Sequence, residues 1–174
     1  MKISGKLEDL KAQGKTYYSF EFFQPKTDFG LDNLYTRIDR MASLQPAYID
    51  ITWGAGGSTA ERTLEMSKTI QKYFGLEVMM HLTCTNMPVS SIKKVLLDAQ
   101  ENGLSNILAL RGDPPEGTGE WKKHEQGFKY GIDLVRYIRK KFGNEFFLGV
   151  GGYPDSHQEQ IDICLLYTSD AADE

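Results

Sequence analysis

Cysteine is scarce in this sequence: 174 residues hold two, Cys84 and Cys164, far apart and in neither a CxxC nor a metal-ligand spacing. That usage fits a reducing compartment. A basic excess is missing too. Twenty Lys and Arg against 24 Asp and Glu leave a net charge of -4, so nothing draws the chain to nucleic acid or another polyanion. Long apolar runs are also lacking. No uncharged stretch approaches the roughly 20 residues of a membrane span. Residues 1–15 scatter Lys, Asp and Glu among Ile3, Leu7 and Leu10 instead of building the apolar centre of a signal peptide. A soluble cytoplasmic protein acting on small molecules is the expectation. The hydrophobic share of 40% and charged share of 25% are those of an ordinary globular domain.

What is present is a repeated strand-helix rhythm. The aromatic run at residues 17–23 reads as a strand with Tyr18, Phe20 and Phe22 on one face and Ser19 and Glu21 on the other. Gly30 then opens a stripe of Leu31, Leu34, Ile38 and Met41 at helical spacing, which Pro46 ends. Residues 47–52 are a second strand. A glycine-rich turn follows, then a helix capped by Ser58 with Glu61 and running to Gly75. The cycle repeats with a strand at 77–83, a helix from Pro88 to Asn102, a strand from Asn106, a helix from Gly127 to Gly143 and a strand at 146–153. Units of about 30 residues are the size of the βα crossover module, so the strands should form a parallel sheet, doubly wound or closed into a barrel. Polar residues near strand ends in several units, Glu21, Thr52, His81 and Arg111, favour the eight-fold barrel, whose mouth collects such groups. A full barrel needs about 250 residues, so the expected fold is a (β/α)8 TIM barrel truncated after about five strands.

The chain is organised around NILALRGDPP at 106–115, where a buried strand stops at Arg111, Gly112 and Asp113 and two prolines forbid further pairing. Charges at the carboxyl end of a parallel strand mark a site, or else an ion pair closing a turn. The loop that follows, to about Gln126, is longer than βα connections usually are. The turn WGAGGST could hold an anion on its amides or be a plain tight turn. His81 has no second histidine nearby, and no metal set is visible. Glu21, opposite three aromatics, should point into a barrel interior, where desolvation would keep it protonated for general acid work; pairing with Arg111 is the alternative.

Together, SFEFFQPK (19–26), YIDITWGAGGST (48–59), MMHLTCTNMP (79–88), NILALRGDPP (106–115) and GYPDSH (152–157) resemble the methylenetetrahydrofolate reductase family, in order and in spacing. The resemblance is to the N-terminal part of the catalytic domain in its fungal and plant-like form. It implies a flavoprotein barrel that reduces 5,10-methylenetetrahydrofolate to 5-methyltetrahydrofolate with NADPH or NADH, in one-carbon and methionine metabolism. It implies FAD as cofactor, a ping-pong scheme and a homo-oligomeric parent. By the same resemblance Glu21 is the general acid toward folate N10. Asp113 is the carboxylate beside the flavin N1 and C2 carbonyl, tuning the flavin to give its hydride away. Thr52, His81, Arg111, Gly112, Tyr130, Gly131, Tyr153 and His157 fall on FAD-contacting positions.

Two departures from the family pattern are Gln24 and Gln158, where proline is usual. The expected organisation is an N-terminal extension at 1–16, the first half of the barrel at 17–160 and a non-native tail at 161–174, with the fragment inactive alone. A metal-dependent lyase or aldolase using Glu21, Asp50 and Asp113, and a non-catalytic fragment, are the rival readings.

Overall fold

The computed structural model describes residues 1–54, 59–84, 86–112 and 124–152. The turn at 55–58, Asp113 with the loop to 123, and everything from Tyr153 onward, including His157, Gln158 and the tail, lie outside the described residues. Five strands, β1 (Ser19–Phe22), β2 (Tyr48–Ile51), β3 (Val78–Thr83), β4 (Asn106–Leu110) and β5 (Phe147–Val150), form one parallel sheet in the order of the chain. Helices α2 (Asp28–Ala42), α3 (Thr59–Thr69), α4 (Val89–Glu101) and α5 (Gly131–Phe142) separate them, and α1 (Ile3–Ala12) precedes them. Sequential order without a reversal is the order of successive barrel units; a doubly wound sheet has a switch point.

Register fixes the two faces. Phe22 pairs with Ile51, Ile51 with Met80, Met80 with Ile107, and Ile107 with Leu148. These residues and their i±2 neighbours form one side, and all but the edge residues are buried. Leu34 and Ile38 of α2, Leu64 and Met66 of α3, Ile92, Val95 and Leu96 of α4, and Leu134 and Ile138 of α5 complete a single core against them. A buried Leu- or Ile-sized side chain contributes about 1.5–3 kcal/mol, so this outer face carries the stability. The opposite, inner face presents Ser19, Glu21, Tyr48, Asp50, Met79, His81, Thr83, Leu108 and Leu110.

Local chemistry sets the element ends. The Thr27 side chain accepts from the Gly30 amide at 3.0 Å and starts α2 ahead of its apolar stripe. Beyond α3 the chain widens into a π-helix at Ile70–Phe74, which Gly75 closes at φ 66°. The expected helix from Gly127 begins instead at Gly131. The Asp133 carboxylate accepts from the amides of Lys129 at 3.2 Å and Tyr130 at 3.0 Å, so these residues lead into the helix without joining it.

Helix α1, for which the sequence suggested no element, docks on the amino-terminal edge of the sheet. Ile3 is 1% exposed. The buried Asn106, first residue of β4, accepts from the Ile3 amide at 2.7 Å and donates to Met1 O at 3.1 Å and Val78 O at 3.4 Å.

Candidate functional site

The carboxyl-terminal edge of the sheet gathers most of the described residues singled out by sequence. Glu21 lies on β1 on the inner face, directly opposite Asp50 in register. It is exposed and makes no ion pair within 4 Å among the described residues. The expected desolvation of Glu21 is therefore absent here, and so is the alternative pairing with Arg111. The reason is position: β1 is the edge strand, and on the inner face a side chain there remains in water.

His81 has the opposite environment. It sits in β3, between β2 and β4, with its side chain 9% exposed, and its Nε2 is buried without a hydrogen bond. Asp50 Oδ1 lies 3.5 Å from that nitrogen, and the Asp50 side chain is 15% exposed. Asp50, considered from sequence only as a metal ligand, is thus turned toward the imidazole. Among the described residues no group of three His, Cys, Asp or Glu side chains could hold a metal ion.

Thr52 follows β2 on the same face and is 9% exposed. Its amide donates to Phe22 O at 3.1 Å and its hydroxyl to the same carbonyl at 3.4 Å. The Thr52 carbonyl accepts from Gln24 Nε2 at 3.1 Å and from Thr63 Oγ1 at 3.4 Å. Gln24 also donates to Thr63 Oγ1. The Gln24 side chain therefore ties the ends of β1 and β2 to α3, a bridge that no sequence signal announced.

At the end of β4, Gly112 has φ 90°, and a Cβ there would fall 2.9 Å from Thr83 Cβ. Only glycine suits both the backbone and the approach. The Arg111 guanidinium lies 5.5 Å from the centre of the Tyr130 ring. A Cβ on Gly131 would lie 3.5 Å from the Arg111 amide and 3.6 Å from the Leu110 carbonyl carbon, so the start of α5 rests on the exit of β4. Arg111, Gly112, Tyr130 and Gly131 thus converge although about twenty residues separate the two pairs in sequence. Beside them Cys84 is buried, donates to Arg111 O at 3.8 Å, and has its thiol pKa pushed up to about 11 by burial. Such a thiol is inert at neutral pH.

The geometry supplies an exposed carboxylate, a buried imidazole with a carboxylate beside it, and a cation stacked near a phenol, on one edge of one sheet. A family model described as "Methylenetetrahydrofolate reductase" matches residues 6–169. "Methylenetetrahydrofolate reductase (NADH) 1" of Arabidopsis thaliana is 47% identical over 171 residues, covering 98% of this chain and 29% of the plant protein. "Methylenetetrahydrofolate reductase 2" of Saccharomyces cerevisiae is 52% identical over 163 residues, with 91% and 27% covered. The "5,10-methylenetetrahydrofolate reductase" of Salmonella typhimurium is 36% identical over 149 residues, with 86% and 48% covered. The chain spans less than a third of the length of these eukaryotic relatives and about half that of the bacterial one.

Proposed function

The chain belongs to the methylenetetrahydrofolate reductase family, and from that premise we propose that it forms part of the catalytic (β/α)8 barrel of a cytoplasmic, homo-oligomeric FAD enzyme that reduces 5,10-methylenetetrahydrofolate to 5-methyltetrahydrofolate. NADH is the favoured electron donor, since the names of the plant relatives specify it. The observation that carries the reading is convergence. Thr52, His81, Arg111, Gly112, Tyr130 and Gly131, the described residues assigned to FAD by resemblance, lie along the carboxyl-terminal edge and inner face of β2, β3 and β4, where barrel enzymes keep their sites.

The residues present fit such a group. At the carboxyl-terminal edge beside the buried His81, the Arg111 guanidinium stands 5.5 Å from the Tyr130 ring, and Gly112 and Gly131 bring the backbone close with no side chain in the way. The chemistry supplied by bound FAD is two-electron transfer from the nicotinamide to the folate. Thr52, His81, Arg111, Gly112, Tyr130 and Gly131 would hold it, with Tyr153 and His157. Asp113 would place a negative charge beside its N1 side, opposing charge accumulation there. Glu21 hands a proton to folate N10 as the five-membered ring opens. An exposed carboxylate on an open face is reachable by substrate, and the covering that would desolvate it comes from the bound ring systems and the remaining barrel wall.

The test uses the full-length gene product. After purification with FAD it should be yellow; NADH should bleach the flavin band under anaerobic conditions, and methylenetetrahydrofolate should restore it. Absence of flavin absorbance after FAD addition overturns the reading.

A further inference from the structure

Resting on the reading of His81 as a flavin contact, we propose that Asp50 is a positioning residue that fixes the His81 ring in the tautomer with its proton on Nε2, so that Nδ1 is left as the acceptor. The imidazole is held mid-sheet with its side chain 9% exposed, and Nε2 is buried without a hydrogen bond. A buried polar atom left unsatisfied is unfavourable. Among the described residues, Thr52 on the same face already commits its hydroxyl proton to Phe22 O at 3.4 Å. Leu108 is the register partner of His81 on β4 and carries no polar side-chain atom. Met79, two residues back on β3, is likewise apolar; it and Leu108 crowd the space over Gly149, where a Cβ would lie 3.0 Å from Leu108 Cδ1 and 3.6 Å from Met79 Cε. Asp50 Oδ1 lies 3.5 Å from this nitrogen.

Asp50 has its own reason to turn that way. Its register partner on β1 is Glu21, a like charge on the same face, and its partner on β3 is Met79. Like charges directly opposite are unfavourable, and a thioether donates nothing. An ionised carboxylate only accepts, so the Asp50–His81 pair closes into a hydrogen bond only if Nε2 carries the proton. The bond made by one imidazole nitrogen decides what the other can do. Asp50 thereby stands between the candidate proton donor on β1 and the candidate cofactor contact on β3.

The full-length gene product labelled with ¹⁵N in its histidine rings decides this, at a pH about two units above the ordinary imidazole range. The His81 signals, assigned by their loss in His81→Gln, should show the proton on Nε2. Asp50→Asn, whose amide can donate or accept, should give a mixture of tautomers and an FAD Kd about tenfold higher, the scale of about one lost hydrogen bond. Asp50→Glu should restore the wild-type tautomer. A wild-type ring protonated on Nδ1 overturns the proposal even if no variant folds, and so does an Asp50→Asn protein with unchanged tautomer or unchanged Kd. If the wild-type protein binds no FAD, the functional reading fails, while the tautomer measurement still decides the role of Asp50.

Discussion

The two faces of the sheet are built from the same strands and behave as different materials. On the helix-covered face, Ile49, Ile51, Val78, Met80, Leu82, Ile107 and Ala109 are nearly inaccessible to water. On the inner face, one residue along each strand, Glu21 is exposed, Asp50 half-buried and the mid-sheet His81 buried. The first face consists of interchangeable hydrocarbon whose value is its volume; the second mixes apolar residues such as Met79 and Leu108 with individual polar groups whose value is their position. Strand alternation lets both requirements be met by four- to six-residue strands.

The sharpest way to break this comparison is a substitution that costs function and nothing else. Glu21→Gln in the full-length gene product should lower the folate half-reaction by 10² or more, the range of general acid catalysis, and leave reduction of the flavin by NADH and the melting temperature near wild type. Equal slowing of both half-reactions in stopped-flow traces would make Glu21 structural. Met80→Ala is the converse, an outer-face change expected to cost about 2–5 kcal/mol of stability. It should lower the denaturant midpoint while leaving the Kd for FAD in the folded protein unchanged. Asn106→Ala tests the amino-terminal edge: removing its bonds to Ile3, Met1 and Val78 leaves buried groups unpaired, at about 1–3 kcal/mol. Limited proteolysis should then cut near α1 before the rest of the chain; an unchanged digestion pattern would show that α1 docks without Asn106.

The smallest effect is expected at Cys84, which belongs to the outer-face core but borders the site. Its folded pKa of about 11 lies above its ordinary value of 9.0. The folded state therefore keeps a proton that the unfolded state loses, and this contribution to stability, complete below about pH 9, declines as pH rises toward 11. Cys84→Ala should flatten the stability profile in that interval. Alkylation of Cys84 in the native protein at neutral pH would show that burial does not protect the thiol.

The sequence already contained the strands and helices, because alternation and the 3.6-residue stripe are local patterns. Leu34 and Ile38, Ile92, Val95 and Leu96 were readable as helix faces before any neighbour was known. The motifs near Thr52, His81 and Arg111 were legible for the same reason, as polar residues where apolar runs stop. Less legible were features that depend on one capping bond. Asp133 moved the start of α5 to Gly131, and Thr27 drew α2 forward. A further signal went unused: an asparagine opening an otherwise apolar strand at Asn106 implied a buried amide in need of partners.

By itself, the sequence determined the order of elements, which face of each strand would be apolar, and the family. Only the tertiary structure decided that Glu21 stands in water while His81, on the same face, is buried, that Asp50 turns to the imidazole, and that Gln24 braces Thr52. Residue type and spacing say which side of a strand a group occupies. Its hydration and its partner depend on whether the strand lies at the edge or the middle of the sheet, and on the register between segments about thirty residues apart.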